Sequence, residues 1–221
     1  MAGETLRPGG LDLTRRALEL TALQPGSLVA DIGCGPGATA RLLATAGHQV
    51  LALDLSEIIL LAAQGPGITA IRATAKHLPL PSQSLDAVFC ECVLSVADST
   101  DDGETAGGGA DKVLAEAARA LRPGGALVIS DLYLRTIGRT FSQPAAGAGS
   151  CLSGARGQAE LMAGLVAAGL HPFVFEDHSR LLAELAARLI FAGMSPHELA
   201  GGCRPGPRPG YFLCLARKLS S

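Results

Sequence analysis

Asp31, Gly33, Gly35, Gly37 and Asp54 are the residues whose types and spacing can do chemistry first. The run Val29-Ala30-Asp31-Ile32-Gly33-Cys34-Gly35-Pro36-Gly37 ends an apolar stretch in three glycines on alternate positions. Such a loop lets backbone lie directly against a ligand, and a helix opening near Ala38 would aim its free N–H groups at whatever the loop holds. The same residues can be matched to a dinucleotide fingerprint. Two carboxylates argue otherwise. Asp31, just before the loop, sits unfavourably for a pyrophosphate but stabilises a cationic aminoacyl or sulfonium group. Asp54, at the end of the next apolar run, is placed to accept hydrogen bonds from ribose hydroxyls.

Six cysteines form the second set. Their irregular spacing, in a chain long enough to build an ordinary core, suits free thiols rather than a disulfide framework, and fits neither a zinc finger nor a Cys-x-x-Cys redox pair. Cys90 and Cys92 fall at the end of an apolar run, while Cys151 and Cys203 fall in loose regions. As thiolates they would suit a soft acceptor such as arsenic or selenium; as small hydrophobes they would simply fill a core, the role expected of Cys34 and Cys214. No metal-binding set is expected beyond Cys90, Cys92, Cys151 and Cys203 as metalloid ligands. His178, beside Glu176 and Asp177, can act as a base but fits a solvated or capping position better.

These residues need a scaffold, and the hydrophobic pattern supplies one. Apolar strands are expected at Leu28–Ile32, Gln49–Leu53, Ile68–Arg72, Leu85–Cys90, Ala126–Ser130, Phe173–Glu176 and Tyr211–Ala216. Helices are expected at Leu13–Leu23 (capped by Asp12), Ala38–Ala46, Ser56–Gln64, Asp111–Leu121, Gln158–Ala168 and Arg180–Phe191. Repeated strand-then-helix order implies a parallel α/β sheet with right-handed crossovers and helices on both faces. The acidic, glycine-rich residues 98–110 read as a mobile loop, and 136–157 and 193–210 as flaps over a substrate. One domain spanning residues 1–221 is expected.

Composition narrows the function. Hydrophobic residues make up 48% of the 221 residues and charged ones 17%, which excludes a disordered chain and suits a sheet buried on both faces. A net charge of -2, without a lysine-rich run, disfavours nucleic acid and anionic membranes as partners. With no signal-like or membrane-spanning apolar run, a cytoplasmic location is expected. Nothing in the sequence decides an oligomeric state.

Val29 to Gly37, Ala52-Leu53-Asp54-Leu55-Ser56, Leu78-Pro79-Leu80-Pro81, Leu85-Asp86-Ala87-Val88 and Leu121-Arg122-Pro123-Gly124-Gly125 together resemble the ordered motifs of class I S-adenosylmethionine methyltransferases. The resemblance covers roughly Leu11 to Leu134. It implies a doubly wound, mostly parallel seven-stranded sheet with an antiparallel last strand, and a transferase whose product is S-adenosylhomocysteine. It carries cofactor contacts to Asp31, Gly33, Cys34, Gly35, Gly37, Asp54 and Leu55, and to the backbone near Cys90. Many relatives hold the adenine amino group with an acidic residue followed by alanine; this chain has Thr74-Ala75 there, whose hydroxyl and backbone can meet the ring edge.

The segment Cys151-Leu152-Ser153-Gly154-Ala155 is similar to one that carries a metalloid-binding cysteine in arsenite methyltransferases. That implies a soft acceptor held by Cys151, with Cys92 the other candidate catalytic thiol and Cys90 and Cys203 assisting. Carbon or oxygen methylation of a small organic metabolite is the rival reading, and a cofactor-binding protein without transferase activity the third. The sulfonium is already an activated electrophile, so alignment and exclusion of water are the main tasks left to the protein.

Overall fold

The computed structural model describes residues 7–97, 108–135, 154–193 and 208–219. Four parallel strands come first in the fold: β1 (Leu28–Ile32), β2 (Gln49–Asp54), β3 (Ile68–Arg72) and β4 (Leu85–Glu91). β5 (Leu121–Arg135) follows, then the two-residue β6 (Arg156–Gly157), β7 (Leu170–Asp177) and β8 (Arg208–Lys218). The sheet runs β3-β2-β1-β4-β5-β8-β7, with β6 pairing only at the far end of β5. β8 is antiparallel to both of its neighbours. The main path is therefore the expected seven-stranded sheet, with its last strand reversed.

Helices cover the two faces: α1 (Gly10–Thr21), α2 (Ala38–Thr45), α3 (Glu57–Ala63), α4 (Gly109–Ala120), α5 (Gln158–Ala167) and α6 (Ser179–Phe191). Alternate residues of the central strands divide the apolar interior. Ala30, Ile32, Val88, Cys90, Leu127 and Ile129 pack on the side of α4 and α5, while Val29, Ala87, Phe89, Ala126 and Val128 join Leu13, Ala17 and Leu43 of α1 and α2. This period-two division is why the strands read as continuous apolar runs.

Several boundaries differ from expectation. α1 begins at Gly10 with left-handed Gly9 as its N-cap, and Asp12 lies in the first turn, 2.6 Å from Arg15, instead of capping. β5 starts at Leu121, so Arg122-Pro123-Gly124-Gly125 is part of an irregular strand entry where the register against β4 shifts. Residues 98–107 lie outside the described residues, but Gly109 and Ala110, expected in a loop, are the buried first turn of α4. The expected flaps shrink likewise. Residues 136–153 and 194–207 lie outside the described residues, whereas Ala155 is buried, Arg156–Gly157 form β6 and Arg208–Gly210 begin β8. Pairing with β5 recruits both ends, because β5 runs past the rest of the sheet to Arg135. Among the described residues, no helix is long and apolar enough to cross a membrane.

Candidate functional site

The site is built where β1, β2 and β4 end side by side. The amides of Gly33 and Cys34 both donate to the Leu53 carbonyl, at 2.7 and 3.0 Å, which folds the glycine loop back over the tip of β2. At Gly37, φ is 80° and an added Cβ would stand 2.6 Å from the Ala63 Cα, so this glycine lets α2 approach α3. At Gly35, φ is 52° and an added Cβ would meet no protein atom within 4 Å. That glycine therefore keeps open a surface that the protein itself does not use.

Asp54 ties the loop to the next helix. Its Oδ2 accepts from the Gly35 N–H and its Oδ1 from the Ser56 N–H, both at 3.0 Å. Ser56 in turn caps α3, its hydroxyl accepting from the Ile59 N–H. Beyond them, Gly33, Asp54, Leu55, Thr74, Ala75, Lys76, Cys92 and Val93 surround a cavity of about 220 Å³ completed by Val96, Ala97 and Val113. Thr74 Oγ1 accepts from the Lys76 N–H at 3.3 Å, closing a tight turn on the cavity rim. The following stretch is anchored by α4. The Leu78 N–H donates to Glu116, and Arg119 donates to the Leu78 and Leu80 carbonyls.

Asp31 lies deeper. It is 2% exposed, and its Oδ2 has no hydrogen-bond partner. Burial, reinforced by the neighbouring Glu91 charge, pushes its carboxyl well above the usual range, against the opposing pull of Arg7 and the Ala40 N–H. An unsatisfied buried oxygen is costly and calls for a partner. Glu91, by contrast, is enclosed: Arg7 pairs with it, and the Thr14 and Thr39 hydroxyls donate to it at 3.1 and 2.6 Å. This ties the N-terminal segment, the start of α2 and the end of β4 into one network. A carboxylate closing the apolar run Phe89-Cys90 was the available sequence signal for Glu91; nothing pointed to Arg7, 84 residues away.

The structure therefore brings Gly33, Asp54, Leu55, Thr74, Ala75 and Cys92 together around one cavity, with Gly35 hydrogen-bonded to Asp54. Asp31, Cys34, Gly37 and Cys90 are buried and are not among the residues that line it. The Cys34 thiol is buried and donates to the Gly35 carbonyl.

Cys90 and Cys92 do not form the expected pair of soft ligands. Cys90 is 1% exposed and packs in the core on the α4 side, where burial pushes its thiol far up. Cys92 packs toward the opposite face, in a left-handed backbone conformation with φ 57°. Its Sγ lies 3.2 Å from the buried Tyr211 hydroxyl, and burial pushes its thiol up to about 12. Burial thus opposes ionisation of both thiols. Cys151 and Cys203 lie outside the described residues, and among those described no three His, Cys, Asp or Glu side chains converge as a metal site. His178 Nε2 is 3.0 Å from Glu176, which also pairs with Arg16, away from the glycine loop.

A family model described as a methyltransferase domain matches residues 30–129, the span that contains the glycine loop, Asp54, the Thr74 turn and β4. Over 204 residues the chain is 30% identical to the ubiquinone biosynthesis O-methyltransferase of Xanthomonas oryzae pv. oryzae (strain PXO99A), covering 89% of this chain and 72% of that protein. It is 33% identical over 127 residues to the uncharacterized methyltransferase YodH of Bacillus subtilis (strain 168), covering 55% of this chain and 50% of that protein. The chain thus spans about half the length of that relative. In fold it is similar to the phosphoethanolamine N-methyltransferase 2 of Haemonchus contortus, solved with phosphomonomethylethanolamine and S-adenosylhomocysteine. That likeness has a TM-score of 0.74 at 20% identity and covers 98% of this chain and 55% of that one.

Proposed function

The chain belongs to the class I S-adenosylmethionine-dependent methyltransferases, and from that premise we propose that it transfers a methyl group from S-adenosylmethionine to a small organic acceptor. The observation that carries this reading is the cavity into which Gly33, Asp54, Leu55, Thr74 and Ala75 open together. The residues present fit the cofactor. Asp54 offers a carboxylate for the ribose hydroxyls, and Thr74 and Ala75 supply a hydroxyl and backbone at the rim for the adenine edge. Gly35 presents bare backbone where a side chain would otherwise stand. Asp31 holds an unpartnered buried oxygen that a cationic amino group would satisfy. When bound, the cofactor supplies an electrophilic methyl group on a sulfonium.

The protein's part is then to bind, orient and keep water out. Val93, Val96, Ala97 and Val113 give the cavity its apolar wall, which raises the strength of each polar contact inside it. Asp54 holds the loop and the α3 cap in one geometry through its two oxygens. Glu91, gripped by Arg7, Thr14 and Thr39, fixes the N-terminal segment against the donor end.

An organic acceptor is favoured over a thiolate-held metalloid because Cys90 and Cys92 point into different packing layers, where burial opposes ionisation of both. The relatives' names point the same way, the Xanthomonas protein being named for an O-methylation in ubiquinone biosynthesis. The reading is of a single methyltransferase domain in the cytoplasm, acting on a small molecule and not on nucleic acid; the net charge of -2 supports only the last of these.

Calorimetric titration tests the premise directly. Binding of S-adenosylhomocysteine with no binding of NAD is the expected result. Absence of S-adenosylhomocysteine binding, or binding of NAD in its place, overturns the reading. Methyl transfer from labelled S-adenosylmethionine to small phenols and carboxylic acids, unchanged by added arsenite, would separate the organic from the metalloid acceptor.

A further inference from the structure

A second and larger cavity, about 890 Å³, lies between the start of α1 and α6, outside the donor cavity. Its α6 wall is a leucine stripe. Leu181, Leu185 and Leu189 recur every four residues and so share one face of the helix. None of the thirteen residues of α6 is buried: Leu181 lies beside Gly9, and Leu181, Leu185 and Leu189 all stay half-exposed toward the cavity. An amphipathic helix ordinarily buries such a stripe.

The charges around the cavity are balanced with one exception. Asp12 pairs with Arg15 at 2.6 Å, Glu184 with Arg180 at 2.8 Å and Arg16 with Glu176 at 3.0 Å. Arg7 pairs with the buried Glu91. Arg188, one turn along α6 from Glu184, has no carboxylate partner among the described residues. An apolar wall with one spare guanidinium is complementary to an aliphatic or aromatic body bearing an anionic head.

One lining side chain joins this cavity to the network at the end of β4. Arg7 lines it, and the same guanidinium donates to Thr39, the second residue of the helix that follows the glycine loop, at 3.0 Å. A molecule held between α1 and α6 therefore lies against the side chain that braces the end of β4.

We infer that this cavity is the acceptor site, and that the acceptor is an amphiphile whose apolar body lies along Leu181, Leu185 and Leu189 and whose carboxylate or phosphate pairs with Arg188. The inference rests on the methyltransferase reading for the word acceptor, but the cavity's preference for anionic amphiphiles can be tested apart from it.

Decanoate and decyl phosphate, below their micellar concentrations, are titrated into the full-length protein saturated with S-adenosylhomocysteine, with decanol and decylamine as the neutral and cationic counterparts. Either anion should bind about ten-fold more tightly than decanol, the scale of one charge-assisted contact at a partly open site, and decylamine should bind weakest. Arg188→Gln should remove the preference for the anions while leaving decanol binding unchanged, and Arg188→Glu should transfer it to decylamine. Leu185→Ser should weaken all four. The melting temperature and the affinity for S-adenosylhomocysteine serve as folding controls, since Arg188 is exposed and outside the donor cavity. Equal binding of anions and decanol, or an intact anion preference in Arg188→Gln, overturns the inference. Failure of S-adenosylhomocysteine to bind while the anion preference persists would overturn the methyltransferase reading and leave the anionic cavity standing.

Discussion

The Gly35 N–H donates to Asp54 Oδ2 at 3.0 Å, joining the glycine loop of β1 to the tip of β2 across nineteen positions of sequence. One carboxylate thereby shapes the loop and faces the donor cavity. The two roles are separable by substitution.

Asp54→Ala removes the acceptor for the Gly35 and Ser56 amides together with the carboxylate proposed to meet the ribose. Hydrogen bonds to a charged group are each worth about 1.5–3 kcal/mol, so S-adenosylhomocysteine affinity should fall at least about 30-fold. Asp54→Asn keeps one oxygen for the loop and should bind better than the alanine variant. Calorimetry gives the affinities and a thermal melt the stability cost. A melting temperature that drops while affinity holds would reduce Asp54 to a purely structural residue.

Gly35 and Gly37 should respond differently to alanine. At Gly37 the new Cβ meets Ala63 at 2.6 Å with φ at 80°, so strain and overpacking add. A loss of about 2–4 kcal/mol in folding stability is expected. At Gly35 the Cβ enters open space with φ at 52°, so folding should lose only about 1 kcal/mol. Because that open space is where the cofactor is proposed to lie, Gly35→Ala should fold yet bind S-adenosylhomocysteine at least about 100-fold more weakly. Denaturant melts paired with calorimetry separate the two; wild-type affinity in Gly35→Ala would remove the loop from the binding site.

Much of this was legible in the sequence because the signals are local. Apolar strands followed by glycine or an acidic residue mark β1, β2 and β4, and most positions that line the donor cavity fall within a few residues of the ends of β1, β2, β3 and β4, Val113 of α4 being an exception. What was not legible depends on long-range pairing. The entry of β5 at Leu121 and the start of β8 at Arg208 are decided by partners across the sheet. The grip of Arg7 on Glu91 joins residues 84 apart, and the cavity between α1 and α6 joins helices near opposite ends of the chain. The cysteines show the converse problem. Thiols at one strand end look convergent on paper, and the pleat alone would put residues two apart on one face, but the left-handed turn at Cys92, just past the end of β4, divides Cys90 and Cys92 between opposite core layers.

That division predicts thiol reactivity. Burial holds Cys34, Cys92 and Cys214 up to about 12 and Cys90 well above its usual value. At pH 8 a thiol near 12 is thiolate in only about one molecule in 10,000, against about a quarter for a free cysteine. Iodoacetamide applied to the native protein should therefore leave these four unmodified over times that alkylate free cysteine completely, and should modify them after denaturation. Mass spectrometry of tryptic peptides reads the outcome. Rapid native labelling of Cys92 would mean that it is available as a nucleophile or soft ligand after all.

Asp31 supplies the pH dependence. Its folded pKa is raised, chiefly by burial and then by the Glu91 charge, above an unfolded value of about 3.9. The folded protein therefore binds this proton more tightly than the unfolded chain. The stability it contributes is full below about pH 4 and is lost as pH rises through the raised folded value. A cationic amino group beside the unpartnered Oδ2 would favour the ionised form, so binding should release a proton. S-adenosylhomocysteine affinity should consequently rise with pH, by up to about ten-fold per unit, and level off once Asp31 is ionised in the free protein. Asp31→Asn should flatten the profile, bind at least about ten-fold more weakly at pH 8, and, without ligand, lose less stability than the wild type between pH 4 and 8. Titrations in buffers of different ionisation enthalpy count the proton directly. A pH-independent affinity in the wild type, or an unchanged slope in Asp31→Asn, would take the amino-group contact away from Asp31.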